Sequence, residues 1–181
     1  MYHLTTHTRV KNSAELIKEA LIKCLHEKDF SLISISDIQK KSGVSRATFY
    51  RIFDNIYDVL CYYCDQLVID IDDQYEAFLK TDRDDIYKFV LSFWAKNNEF
   101  LEALYISHRW DILQTSMETK AKNLRTHLTK NFISDQDADY FFSIFSCALS
   151  GILMTWIRHG KKEEISSMDE KIQDILKVFI K

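Results

Sequence analysis

The sequence predicts an all-α protein of about nine helices, with a small three-helix head over residues 1–53 and a larger helical body over residues 54–181. Three observations carry this. The chain of 181 residues has no proline and only three glycines, too few turn formers for a sheet protein. Its apolar residues, 46% of the total, recur every three or four positions through most of the chain. Several of these periodic runs are preceded by Ser, Thr or Asn, whose side-chain oxygen accepts from the unbonded N–H groups that open a helix.

The elements follow in order. Residues 1–11 are polar, with His3, His7 and Arg9, and predict a frayed arm. Asn12 or Ser13 caps a first helix whose inner stripe is Ile17, Ala20, Leu21, Cys24 and Leu25. Phe30 and Ile33 close the small core of the head. Ser34 and Asp37 have capping-box spacing and open a helix from Ile35 to about Ser42. Gly43 stops it, because the residue after a helix often needs the left-handed conformation. Val44 tucks inward, and Ser45 caps a helix from Arg46 to about Phe53. Phe49 and Phe53 are four apart and share its packed face, which leaves Arg46, Thr48, Tyr50 and Arg51 on or near the other side.

Two short helices joined through a Gly-containing turn have the helix-turn-helix layout, whose second helix enters the DNA major groove by its N-terminal end. Arg46 there can fork onto a guanine edge, and Thr48 and Tyr50 can bond phosphates or touch a thymine methyl. The same spacing also fits two short helices of an ordinary bundle, with Arg46 and Arg51 simply solvated. The words DIQKKSGVSRATFYRIF, with Asp37, Ile38, Gly43, Val44, Ser45, Thr48, Phe49, Tyr50 and Phe53, resemble the tetracycline-repressor (TetR) family of transcriptional regulators. That resemblance covers most of the first 60 residues. It implies DNA contacts from Ser34, Ser36, Ser45, Arg46, Ala47, Thr48, Tyr50, Arg51 and Asn55, and a homodimer on a palindromic operator. Three positions depart from the family pattern. Gln39 replaces a small Ala, Ile52 replaces a His that faces the phosphate backbone, and Ile56 replaces a Lys with the same role. Fewer phosphate contacts imply weaker binding with a shallower salt slope.

Beyond the head, Asn55 to about Leu79 reads as one long helix, with Leu60, Cys64, Leu67, Ile71 and Phe78 on its inner stripe and Asp70, Asp72 and Asp73 on a solvated face. In TetR-like proteins this helix links head to body. Thr81 or Asp82 begins a helix through Ile86, Phe89, Val90, Phe93 and Trp94, which Asn97 and Asn98 break. A short helix through Leu104 follows, and Leu113, Met117, Ala121, Leu124 and Leu128 mark a long one to about Phe132. Ser134 and Asp137 box the most apolar segment, whose stretch from Tyr140 to Ile157 is eighteen residues without a charge. That length is at the threshold for a membrane span. Four interrupting Ser and Thr, and the amphipathic character of every other helix, favour a buried helix instead. Gly160 ends it, and Ser167 with Glu170 boxes the last helix.

The resemblance implies a dimer interface on the last two helices. Ser143, Cys147, Ser150 and Gly151 form a small-residue stripe for close approach, with Ile172 and Leu176 on the final helix. The words GILMTWIRHG are further similar to a Firmicutes-type branch of that family, which includes regulators of dihydroxyacetone kinase operons. The body is dense in aromatics, Tyr87, Phe93, Phe141, Phe142 and Trp156 among them; Tyr63, Trp94, Tyr105, Trp110 and Phe145, with His108 or Arg109 as polar handle, are the leading candidates for a pocket that takes a small apolar or aromatic effector. For any single aromatic, plain core packing is the favoured reading, because helical spacing alone predicts it inside.

Charge is uneven. Residues 1–53 hold nine Lys and Arg against five Asp and Glu, a surplus of +4, so the remainder carries −7 of the total of −3. A basic head on an acidic body suits contact with nucleic acid at one end. The four cysteines fit no disulfide scaffold. Cys61 and Cys64 lie inside a helix without a second pair to complete a zinc site, so they read as small apolar residues. No Ser-His-Asp grouping, metal cluster or phosphate loop is present, and an enzyme is not predicted. Neither a cofactor nor a metal is expected. The reading is a cytoplasmic, DNA-binding regulator, more a repressor than an activator. Its rival is a relative with weak DNA binding that acts through a protein partner, a reading motivated by Ile52 and Ile56.

Overall fold

The computed structural model describes residues 2–3, 8–81, 86–132 and 134–179. Ten α-helices run through them, with no strand among the described residues. The first three are α1 (Thr8–Leu25), α2 (Ile35–Ser42) and α3 (Arg46–Ile52). They pack around Ile17, Leu21, Ile38, Phe49 and Phe53, all buried. The long α4 (Ile56–Phe78) leaves this group, and its Val59, Leu60, Cys64, Val68 and Ile71 extend the same apolar core into the body. There it lies along α7 (Asp111–Lys120) and α8 (Lys122–Thr129). The body is completed by α5 (Ile86–Lys96), α6 (Asn98–Ile106), α9 (Asp135–Arg158) and α10 (Ile165–Phe179).

Four expectations need correction. The arm is docked, not frayed, at Tyr2 and His3: the His3 N–H donates to the Ile52 carbonyl at 2.7 Å, and the Tyr2 ring packs on Phe53 and Tyr62. The first helix begins at Thr8, so Asn12 and Ser13 do not cap it; the Ser13 hydroxyl donates back to the Arg9 carbonyl at 2.9 Å. His7 lies outside the described residues. The last helix begins at Ile165, ahead of Ser167, because Gly160 and Lys161 both take positive φ, 73° and 58°, and turn the chain at once.

The fourth correction accounts for the tenth helix. The expected run from Leu113 to Phe132 breaks at Ala121 (φ −77°, ψ 71°). The cause is Asp72, assigned from sequence to a solvated face but in fact 5% exposed. Its carboxylate accepts from the backbone N–H groups of Lys122, Asn123 and Leu124 at 3.1, 3.0 and 2.9 Å. A buried carboxylate needs partners, and the unbonded, partly positive start of a helix supplies three.

Two helices end alike. At α9 the Lys161 N–H bonds the Trp156 carbonyl at 3.0 Å and the Gly160 N–H bonds Ile157 at 2.9 Å. This is the Schellman pattern, with Gly160 in the left-handed position as expected. At α6 the same pattern uses His108 (φ 55°), with bonds from Arg109 to Leu104 at 2.9 Å and from His108 to Tyr105 at 3.1 Å. Asn97 and Asn98 break α5 from α6 by bonding their side-chain amides to the Phe93 and Ala95 carbonyls at 2.9 and 2.8 Å.

Candidate nucleic-acid interface

The geometry of α2 and α3 follows from their caps. The Ser34 hydroxyl accepts from the Asp37 N–H at 3.2 Å, and the Asp37 carboxylate accepts from the Ser34 N–H at 2.8 Å, a complete capping box. Gly43 takes φ 70°, where a side chain would be strained. Val44 is buried at the turn. The Ser45 hydroxyl accepts from the Thr48 N–H at 3.1 Å and donates to the Thr48 hydroxyl at 3.0 Å. That hydroxyl also lies 3.4 Å from the Arg51 guanidinium. Both short helices are thus fixed by their own sequence.

The result is a two-faced α3. Phe49 and Ile52 are buried on one side. Arg46, Ala47, Tyr50 and Arg51 are exposed on the other, Tyr50 by 47%. The Arg46 guanidinium sits 5.8 Å from the centre of the Tyr50 ring, which stands edge-on to Phe49 at 5.7 Å. A cation and an aromatic hydroxyl therefore project together from the first turns of a helix that the body leaves open. Ile52, which stands where the family pattern has a His facing the phosphate backbone, is buried and presents no side chain to the open face. Ser36 is exposed in the first turn of α2. Asn55 caps α4, accepting from the Asp58 N–H at 3.0 Å, and Ile56 is half-buried at the start of that helix.

Not every basic residue nearby is available. Lys28 pairs with Asp37 at 2.7 Å and Lys41 with Glu27 at 2.7 Å. The bond to Lys28, and after it the two bonds to Ser34, hold the Asp37 carboxyl well below the usual carboxylate range. A depressed carboxyl stabilises the fold in full above its unfolded value of about 3.9 and loses that contribution as pH falls toward its folded value. Asp37→Asn is therefore expected to be less stable than the parent at pH 6, with the difference shrinking as pH falls from about 5 to about 3. Urea titrations across that range check it.

The six aromatic and polar residues expected to line one effector pocket do not converge. Trp94 is fully buried in the core of the body. Tyr63 lies between the head and α6, with the Lys18 ammonium 4.7 Å from its ring and Phe100 edge-on at 4.6 Å. Tyr105 and His108 are exposed, and His108 is committed to the α6 cap. Arg109, its neighbour, forks onto Asp111 at 2.9 and 2.8 Å and covers the Tyr57 ring at 3.9 Å. Trp110 packs half-buried against the core. Of the six, only Phe145 lines the apolar groove of about 240 Å3 that opens where α5, α9 and α10 meet. Tyr87, Val90, Leu91, Leu149 and Ile152 are among its other walls. Neither Cys61 nor Cys64 resembles a reactive thiol, since burial pushes both upward.

Along α9 the expected small-residue stripe is half-buried at Ser143, Ser150 and Gly151 and exposed at Cys147. A methyl group built on Gly151 would meet nothing within 4 Å. Beside it runs a stripe the sequence reading missed: Tyr140 (66% exposed), Ile144 (70%), Ala148 and Met154 (37%). On a helix apolar nearly all round, only the packing of its other face against α6, α7 and α8 shows which apolar residues are left over. The helix is long and apolar enough to cross a membrane by length and composition, but that packed face carries Phe142, Leu149, Leu153 and Trp156 inside the body. On α10, Ile172 is half-buried at the groove, and the Leu176 side chain lies outside the described residues.

Comparison with known proteins bears on both halves. Residues 17–60 match the family model described as bacterial regulatory proteins, tetR family. Residues 81–178 match one described as transcriptional regulator C-terminal region. Among solved structures the fold is similar to Lin0861 from Listeria innocua (TM-score 0.83, 18% identity, 98% of this chain and 96% of that one). It is also similar to a TetR transcriptional regulator from Streptococcus agalactiae 2603V (0.58, 19%, 90% and 92%). A third is the fatty acid degradation regulator FadR from Bacillus halodurans (0.54, 13%, 96% and 96%). At these identities the likeness is one of fold. No curated protein matches the sequence.

Proposed function

The chain belongs to the TetR family of bacterial transcriptional regulators, and from that premise we propose that it is a cytoplasmic repressor that binds a palindromic operator as a homodimer. The observation that carries the reading is the open face of α3, where Arg46 and Tyr50 project side by side from a capped and rigid helix. Arg46 offers a bidentate donor for a guanine edge in the major groove. Tyr50 and Arg51 supply phosphate contacts, and Ser36 and Ala47 lie on the approaching surface. Ile52 is buried and Ile56 half-buried, so neither offers a phosphate contact, but Arg46, Tyr50 and Arg51 stay open on α3, and DNA binding is preferred.

The test is fluorescence anisotropy on duplex DNA from beside the protein's own gene. The parent binds with a salt-dependent affinity. Arg46→Ala binds about 10- to 100-fold more weakly, the range for one lost base contact. A parent protein with no salt-sensitive binding to any such duplex would falsify the reading.

The effector in this reading is a small, neutral, apolar or aromatic molecule. Its site is the groove between α5, α9 and α10, supported by walls that, among the described residues, carry no charged side chain. The reading extends to the Firmicutes-type branch through the words of residues 151–160.

A further inference from the structure

The docked arm joins three helices through one side chain. The backbone of Tyr2 pairs antiparallel with Phe53, and the His3 N–H closes the Ile52 carbonyl at 2.7 Å. Ile52 is the last residue of α3 and Phe53 its C-cap, so the arm seals the end of the recognition helix. The Tyr2 ring stands edge-on to Phe53 at 6.5 Å and to Tyr62 of α4 at 5.5 Å. Its hydroxyl then reaches Asp65 of α4, donating to Oδ2 at 2.6 Å. The other oxygen of that carboxylate accepts from the Ser116 hydroxyl of α7 at 2.6 Å, and Lys120 of α7 lies 3.4 Å from Oδ2.

We infer that Tyr2 and Asp65 are positioning residues for operator recognition, a strap that fixes the angle of α3 against α4 and α7 and so sets how strictly the protein reads the distance between operator half-sites. The strap rests on the DNA-binding reading above. The geometry argues for it in two ways. The caps of α3 fix its own turns, while its tilt against α4 is a separate freedom, and Tyr2 and His3 bear on that tilt from two sides, by the backbone bond at the end of α3 and by a charge-assisted bond to Asp65 of α4. And α7 packs on α9, which carries the exposed apolar stripe, so the strap shortens the mechanical path from recognition helix to the seam that would join two copies. Burial and the neighbouring carboxylate both hold the Tyr2 proton in place, so the bond persists through the neutral range.

The experiment uses the full chain and Tyr2→Phe, which keeps the ring and removes only the hydroxyl. Hydrogen exchange without DNA reads the amides of residues 49–53, and anisotropy reads a footprinted operator together with versions one base pair longer and shorter between half-sites. Tyr2→Phe should speed exchange at residues 49–53 about 10-fold, the loss of one hydrogen bond to a charged acceptor. It should also shrink the preference for the native spacing at least about 5-fold, with Asp65→Ala reproducing both effects. A uniform loss of affinity at all three spacings, or unchanged exchange, would overturn the strap. If the parent binds no duplex, the DNA-binding reading fails, and the exchange measurement still decides whether the strap holds α3.

Discussion

Asp72→Ala is expected to lower the free energy of unfolding by about 3 kcal/mol, the largest loss for any single polar side chain in the body. The carboxylate is the cap of a helix it does not belong to. Three N–H groups at the start of α8 end on its two oxygens within 3.1 Å. Truncation leaves them without an acceptor in a region closed to water by Leu124 and Ala121, both buried. A lost helix cap alone costs about 1 kcal/mol, and buried donors stripped of a charged acceptor cost more. A fall in melting temperature of about 6–12 °C corresponds to that loss in a chain of this size. Circular dichroism at 222 nm, at fixed protein concentration, measures it. Asp72→Asn keeps one acceptor oxygen and should lose about half as much. Asp70→Ala and Asp73→Ala, both at exposed positions, should stay within about 0.5 kcal/mol of the parent. Equal effects at all three positions would show that the cap contributes nothing.

Asp72 also marks where sequence reading stops. Asp70 and Asp73 beside it are acidic and exposed, and its residue type does not distinguish it from them; what buries it is the start of a helix fifty residues away. The features that were legible are those in which both partners lie within four residues. Ser34 with Asp37, Ser45 with Thr48, Gly43 and Gly160 all occupy the conformations their residue types demand. The recognition face was legible for the same reason, since the spacing of Phe49 and Phe53 decides which side of α3 turns inward. Ile52 departs from the family's His and is buried beside Phe49, as its own apolar chemistry requires. Tyr2 was missed because a single aromatic in a polar arm has no periodicity, and its partners, Phe53, Tyr62 and Asp65, come together only when α3 folds back onto α4. The pocket failed for a different reason. Aromatic content says how much surface a chain can bury, not where packing leaves a gap, and the gap lies at the α5–α9–α10 seam, beside Tyr87, Phe141 and Phe145, rather than among Trp94, Tyr63 and Tyr105.

The same limit applied to α9, and there it leads to the second large effect. Ile144→Asp is expected to weaken self-association at least about 100-fold, or about 2.7 kcal/mol, while leaving the protomer folded. Ile144 is 70% exposed and Tyr140 66% exposed, one turn apart on a helix whose opposite face is packed. Exposed apolar side chains this large and contiguous mark an interaction surface, and a symmetric dimer is the occupant the proposed function requires. In a two-fold interface the same patch serves both copies, so one substitution places two carboxylates in the seam. Neither would have a cationic partner along the apolar stripe, and a charge desolvated without a partner opposes association strongly. Sedimentation velocity across a concentration series gives the change in dissociation constant, and circular dichroism confirms the unchanged fold. A dimer equally tight with Asp at position 144 would show that the seam lies elsewhere. The consequence for DNA separates the two halves of the mechanism. Two recognition helices reach successive turns of the major groove only when held roughly 34–36 Å apart, so Ile144→Asp should lose affinity for the full palindrome but keep the parent's weak affinity for a single half-site. Arg46→Ala, in contrast, should lose both. A protein in which the two substitutions weaken both targets in the same ratio would not be using its body to space its heads.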